Sequence, residues 1–485
     1  MSSNKSQIGN KMPDLSSLSE GRTKGEAVVL VFDVGKTNKK VLLFDEQYKQ
    51  VYEESAQFKE TVDEDGFPCE DVDALTKWVW EKFWQFTLNK EYIVRGVNFS
   101  AYGASLVHLN DYYKPFVPLY NYLKPYPEKL KKQFYDTYGG ESLITKQTAS
   151  PVLGSLNSGM QLYRLKYEKP KIFEQIKYSL HLPQYLSFII SKKVASDITS
   201  IGCHTNLWDF QKNKYHEWIK REKIYIKLAP IFSADKILRR NDVKTIPAGI
   251  GLHDSSAALI PYLSFFSEPF ILLSTGTWSI SLNPFNHQML SDYELHHDCL
   301  CYLTYKGKPV KASRLFAGYE HEQQTKRLAA HFNKTSDYYK SIDYDATKPD
   351  TNGLSKQFQH ERSSAPLQQS RFVQRDLNDF KTYEEAYYQL IADIILQQVS
   401  STKLVLHNTP VKKIFVDGGF GKNQIFMNML AVAFPRMEVY AARISQASAM
   451  GAALAIHKHW NKNPLPSNII ELTYYPVAHD IRSLM

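Results

Sequence analysis

Two short apolar runs, each interrupted by a glycine turn and then resumed, constrain this chain more than any other feature. Ala27-Val28-Val29-Leu30-Val31-Phe32 closes in Asp33-Val34-Gly35 and resumes after a polar turn as Lys40-Val41-Leu42-Leu43-Phe44. Runs of that length and composition are strands, and the turn between them folds the pair into a hairpin. The pattern returns far downstream, where Phe270–Leu273 passes through Ser274-Thr275-Gly276-Thr277 into Trp278–Leu282. Helical and extended segments alternate around both hairpins. Asp71–Leu88 sets Leu75, Trp78, Val79, Phe83 and Phe86 at helical spacing ahead of an apolar strand at Tyr92–Phe99. Interspersed strands and helices make an α/β fold. At 485 residues the chain exceeds what one hydrophobic core usually serves. Two α/β halves are therefore expected, over 26–260 and 261–485, after a polar flexible tail at 1–25.

The remaining segments fill in these halves. Ser158–Ile190 reads as mainly helical, Trp208, Phe210, Tyr215 and Trp218 supply a buried aromatic corner, and Tyr383–Leu404 is a long helix with one apolar side. The strand Lys413–Asp417 leads into a helical Asn423–Phe434, and Met437–Ala441 into an alanine-rich helix at Ser448–His459, where Gly451 suits close packing. The polar stretch 333–379 reads as a variable insertion. Hydrophobic residues at 43% and charged residues at 22% are the balance of a globular protein. A net charge of +9 favours anionic partners, but no Lys/Arg stripe interleaved with aromatics marks a nucleic-acid reader. Four cysteines make no disulfide framework, which points to a reducing compartment, the cytoplasm. No apolar stretch approaches membrane-spanning length. His296–Cys301 reads as a strand of mixed side chains rather than a zinc site, because its spacing fits no common ligand pattern.

Four turns can carry chemistry. At the first, Gly35 frees backbone amides to face phosphate oxygens, Thr37, Asn38 and Lys39 add donors, and Asp33 can hold a divalent cation; an ordinary hairpin turn uses the same residue types. Gly276 and Thr277 offer a second clamp or, again, a plain turn. Gly418 and Gly419, ahead of Asn423, leave room for a flat ring at a helix start. This is no Walker loop, since Val416 and Asn423 stand where glycine and Ser/Thr are required. In Gly249-Ile250-Gly251-Leu252-His253-Asp254, the Asp254 carboxylate can take a proton from a bound alcohol, or it can cap a helix beside a buried His253.

Taken together and in this order, the four turns resemble the FGGY family of carbohydrate kinases, and the resemblance runs from about Ala27 to His459. Ala195–Ser200 with Leu207-Trp208-Asp209 also looks like the segment that follows the family's helix beneath the sugar. The resemblance implies two actin-like (ribonuclease H-like) domains, each a central mixed sheet flanked by helices, closing on ATP and a small sugar in the cleft between them. It implies Asp254 as catalytic base and Asp33 near Mg²⁺. Gly35, Thr37, Asn38 and Lys39 match the first phosphate loop, Gly276 and Thr277 the second, and Gly418, Gly419 and Asn423 the nucleotide turn. The sugar side departs from the family: Ser100-Ala101-Tyr102-Gly103-Ala104 and Tyr120-Asn121-Tyr122 replace its common segments. Tyr102 and Gly103, with His253, would wall a deoxy-sugar methyl, as in rhamnulose and fuculose kinases; a plain core aromatic is the alternative for Tyr102. A homodimer is open to such a protein, and a catalytically silent sugar sensor on the same fold is the rival to an enzyme.

Overall fold

The computed structural model describes residues 25–239, 246–345, 369–444 and 446–476. In the first half, β1 (Glu26–Val34) pairs antiparallel with β2 (Lys39–Asp45), which pairs with β3 (Gln50–Ala56). Helix α1 (Val72–Leu88) is capped by Asp71, whose side chain accepts from the Ala74 amide, and buries Leu75, Trp78, Val79, Phe83 and Phe86. Strand β4 (Tyr92–Ala101) lies parallel to β1. Helix α2 (Leu182–Ser191) contacts β4, and the short α3 (Ile198–Ile201) follows, started by the Asp197 carboxylate. The dipeptides Ala248–Gly249 and β5 (Leu252–His253) pair parallel with β4 and bring the chain to α4 (Asp254–Phe265).

The second half repeats the hairpin. Strands β6 (Phe270–Thr275) and β7 (Ser279–Asn283) join β8 (Cys299–Leu303) and β9 (Pro309–Leu315). After α5 (Ala317–His331) and α6 (Tyr383–Leu406) come β10 (Lys413–Gly418), α7 (Gln424–Ala433), β11 (Glu438–Arg443), α8 (Ala447–Ala455) and β12 (Glu471–Tyr475). The sheet order is β8-β9-β7-β6-β10-β11-β12. Both sheets are mixed, with β1 parallel to β4 and β6 parallel to β10, and both are packed by helices.

Helices α4 and α8 join the halves. A Cβ on Gly451 would sit 1.8 Å from the Ala257 carbonyl oxygen, so the two helices meet backbone to backbone only because position 451 carries no side chain. Ala257, Ile260, Met450 and Ala453 lie in one core with Val29, Leu42, Leu272 and Phe415, which runs from one sheet to the other.

Several expectations change. Ser158–Ile190 is broken by a strand at Tyr178–His181, which pairs with Leu106–Leu109. Helix α4 spans residue 260, so the proposed division between halves falls inside a helix. The expected strand at His296–Cys301 starts only at Cys299, because Asp292–His296 is a helix with a Ser291–Glu294 capping box. The tail through residue 24 and all of 346–368 in the expected insertion lie outside the described residues. Its flanks hold short 3₁₀ turns, and Phe372 and Leu377 are buried in the core beneath α6.

Candidate active site

The pairing of β1, β4 and β5 assembles the acidic centre. Asp33 ends β1 opposite Ser100, and His253 ends β5 opposite Ala101, so Asp33, Tyr102 and Asp254 all emerge from the same edge of one sheet. Asp254 is the first residue of α4; its Oδ1 accepts from the Ser255 amide at 2.6 Å and the Ser255 hydroxyl at 3.3 Å. Burial raises its pKa to about 6, against the hydrogen bonds from Ser255. The side chain is still 36% exposed, so the shift comes from protein packed behind the carboxylate and not from sealing it off from solvent. Asp33 is also raised to about 6, first by burial and then by the charge of Asp254, while Ser448 and Ser100 hydrogen bonds and Lys40 oppose the rise. Ser448 of α8 donates to Asp33 Oδ2 at 2.7 Å.

Two neighbouring carboxylates that both resist ionisation form a hard-oxygen site that a divalent cation would relieve, and Asp33 fits Mg²⁺ on that ground. Among the described residues no cluster of three or more His, Cys, Asp or Glu side chains forms a protein-only metal cage. That is the usual situation for Mg²⁺, which keeps waters and phosphate oxygens as ligands.

The glycine turns are placed as follows. The Gly35 amide donates to the Asn38 carbonyl at 2.9 Å, and Thr37 and Asn38 are exposed on the loop, with Asn38 Oδ1 accepting from Gln57 at 2.7 Å. Gly276 and Thr277 are exposed at the second turn, closed by the Gly276 amide to the Trp278 carbonyl at 2.8 Å. Parallel pairing sets Thr275 opposite Gly418. Gly418 has φ +90°, and a Cβ there would lie 1.9 Å from the Thr275 carbonyl oxygen, so this position requires glycine twice over. The Gly419 amide donates to that carbonyl at 2.9 Å. Asp417 and Gly418 open onto a groove of about 830 Å³ that also touches Lys422, Arg443 and Met450, a volume suited to a small-molecule ligand.

Three expected contacts are corrected. Lys39 is buried, because alternation along β2 turns it inward; its ammonium is spent within the protein, on Glu70 and on the Lys36 carbonyl at 2.9 Å beneath the loop. His253 is buried as well. Its Nε2 lies 3.1 Å from Cys203 Sγ, and burial lowers its pKa to about 3, so its imidazole is engaged within the protein. Asn423 spends its amide on protein: Oδ1 caps α7 at the Phe426 amide (3.0 Å) and Nδ2 donates to the Tyr387 hydroxyl (2.7 Å). Tyr102 is buried, its hydroxyl donates to Glu70, and its ring sits 5.9 Å from that of Tyr122. Gly103 makes room for His253, since a Cβ there would be 3.0 Å from the imidazole.

The sequence reading missed Glu70, Cys203, Gly318 and Ser448. Gly318 had a signal, a glycine in the first turn of a helix that follows a strand. A Cβ on it would lie 1.8 Å from the Gly276 carbonyl oxygen. The other three are polar residues met only through tertiary contact.

The model of the FGGY family N-terminal domain matches residues 28–239, and that of the carbohydrate kinase FGGY C-terminal domain matches residues 267–464. The chain belongs to the FGGY family of carbohydrate kinases. A rhamnulokinase of Halalkalibacterium halodurans is 25% identical over 274 residues, 51% of this chain and 52% of that protein; the chain thus matches about half the length of this curated relative. A carbohydrate kinase from Novosphingobium aromaticivorans superposes with a TM-score of 0.73 at 24% identity, covering 93% of this chain and 96% of that one. A ligand-bound xylulose kinase from Lactobacillus acidophilus gives 0.74 at 17% identity, over 94% and 95%. At these identities the structures show the fold: the two-domain, actin-like architecture of FGGY kinases. No helix among the described residues is long and apolar enough to cross a membrane.

Proposed function

We propose that this FGGY kinase transfers the γ-phosphoryl group of ATP to a hydroxyl of a small sugar, with Asp254 as general base. One observation carries the reading: a partly exposed carboxylate, raised to a pKa of about 6 at the start of a helix, interacts with a second carboxylate at the end of β1. An alcohol attacks phosphorus poorly until its proton is accepted, and a base with a pKa near the working pH does this best. Asp254 takes the proton. Asp33 would hold Mg²⁺, which would neutralise the phosphate oxygens. The Gly35–Asn38 and Gly276–Thr277 turns offer backbone amides to the phosphates, and the turn at Gly418-Gly419 with its groove takes the nucleoside. Little covalent work falls to the protein, because phosphoryl transfer is catalysed mainly by position and charge.

For the acceptor we propose a deoxyketose such as L-rhamnulose or L-fuculose. The departures at Tyr102 and Tyr120-Asn121-Tyr122 support it, as does the similarity to a rhamnulokinase. With Tyr102 turned on to Glu70, the neighbouring Tyr122, which the Asp254 charge reaches, is the aromatic better placed to meet the sugar. The test is ADP release measured against L-rhamnulose, L-fuculose, xylulose, ribulose and glycerol. Sugar-stimulated turnover with a preference for a 6-deoxyketose is expected; no turnover with any acceptor would refute the enzyme reading in favour of a sensor.

A further inference from the structure

Cys203 lies just beyond α3, fully buried, and belongs to none of the motifs that define the site. Its Sγ is 2.7 Å from His204 Nδ1 and 3.1 Å from His253 Nε2. Burial pushes the thiol pKa well above its usual value and holds both imidazoles neutral, so the sulfur keeps its proton and each ring carries one. His253 Nδ1 is buried without a partner, and a proton there would be orphaned. The ring proton therefore sits on Nε2 and is donated to Cys203 Sγ, which leaves the S–H for His204 Nδ1.

Held in this way, His253 Nε2 stands 3.3 Å from Asp254 Oδ1, the oxygen that already accepts from the Ser255 amide and hydroxyl. Oδ2 of Asp254 receives no hydrogen bond from the described residues. The space His253 occupies exists because Gly103 lacks a side chain; a Cβ there would press on the imidazole at 3.0 Å and on Cys203 Sγ at 3.1 Å. The other ionisable groups that interact with this pair are Asp33 from β1, Tyr122 from the loop after Leu119, Tyr302 from β8, and His181 from the strand at Tyr178–His181, which interacts with both His253 and His204; Arg314 of β9 acts on Cys203 and His204.

We propose that Cys203 is a positioning residue for the transfer step: its thiol fixes the His253 ring against Asp254 Oδ1, so that Oδ2 is the oxygen left to receive the acceptor proton. This rests on Asp254 being the base. In the step, the acceptor O–H bond breaks with its proton going to Oδ2, the acceptor oxygen bonds to the γ-phosphorus, and the bond from that phosphorus to the bridging oxygen breaks with its electron pair leaving on ADP.

The experiment uses the full chain, ATP and whichever acceptor of the five-compound panel turns over fastest, with Cys203→Ala, Cys203→Val, Cys203→Ser and Asp254→Asn. Cys203→Ala and Cys203→Val are expected to lower kcat about tenfold while leaving both KM values within about twofold, because a misplaced base costs rate without weakening ground-state binding. Both should move the acidic limb of the kcat–pH profile to lower pH, since the Nε2–H released from the sulfur can turn to Asp254 Oδ1 and favour the charged carboxylate. Cys203→Ser, which can still accept from His253 and donate to His204, should restore kcat to within about threefold. Wild-type kcat and an unmoved limb in Cys203→Val or Cys203→Ala, even with lowered thermal stability, would reduce Cys203 to packing and overturn the proposal. So would a loss in Cys203→Ser equal to that in Cys203→Val. The two readings fail separately: an active Asp254→Asn sinks the base itself, whereas an inactive one beside normal Cys203 variants sinks only the positioning role.

Discussion

Replacing Asp254 by Asn should damage activity and improve stability at the same time, and the two effects share one cause. With a pKa of about 6, roughly nine-tenths of the carboxylate is ionised at pH 7 and roughly a tenth at pH 5. The wild-type kcat/KM should therefore fall about tenfold between those values, and removal of the base should lower kcat by about 10²- to 10⁴-fold at pH 7. For stability the sign is opposite. A carboxyl group with a pKa of 3.8 when unfolded and about 6 when folded holds more protons in the folded state between those values, so its contribution worsens as pH rises through that window and stays unfavourable above it. Asn carries no charge to bury, and its oxygen can still accept from the Ser255 amide. Ligand-free Asp254→Asn should thus melt a few degrees above the wild type at pH 7.5, with the gap closing near pH 4. Calorimetry across pH 4–8 alongside coupled ADP release checks both arms. A variant that is less stable than the wild type at pH 7.5, or that keeps wild-type turnover, would refute the reasoning.

Three further outcomes follow from contacts elsewhere. Gly451→Ala drives a methyl into the Ala257 carbonyl, so α4 and α8 must part, and the urea midpoint should drop by the equivalent of about 1–3 kcal/mol; an unchanged midpoint would mean the helices slide freely. Gly318→Ala presses on the Gly276 carbonyl and should raise the KM for ATP about tenfold with the sugar KM unmoved, as steady-state kinetics with each substrate varied would show. Lys39→Met strands Glu70 in the interior and should cost about 3–5 kcal/mol in chemical denaturation, while Lys39→Met/Glu70→Gln, with neither charge left, should recover much of that; a double variant worse than the single would show the pair does not act as a unit.

The backbone frame was largely legible in the sequence, because it is written in local patterns. The β1–β2 and β6–β7 hairpins follow from apolar runs about a glycine turn, α1 from the spacing of Leu75 to Phe86, and α6 from its apolar side. What failed was side-chain direction. Lys39 and Lys40 are adjacent in β2, yet one enters the core to meet Glu70 and the other reaches Glu53 and Gln446; which faces inward depends on the sheet's register. His253 and Asp254 likewise look like one motif, but the switch from β5 to α4 falls between them, so the imidazole is buried on Cys203 while the carboxylate stays partly exposed. Asn423 had two uses open to it in sequence, a cap and a ligand contact, and the start of α7 took it for the cap. The strand at Tyr178–His181 was invisible because a short apolar run carries no period of its own and its partner lies at Leu106–Leu109.

The acidic pair and the junction between the halves are one piece of structure. Asp254 is the first residue of α4, and Ser448, which holds Asp33, stands in the first turn of α8. Asp254 therefore lies at a helix N-terminus, where the backbone dipole favours negative charge, and Asp33 is hydrogen-bonded to a side chain from the first turn of another helix. The same two helices meet at Gly451 and Ala257, about one turn from Ser448 and Asp254, with no side chain between them to cushion a shift. A displacement of α8 along α4 must move Ser448 relative to Asp33, and so change how well Asp33 bears its charge. The contact between the halves and the setting of the two acids thus share the same pair of helices.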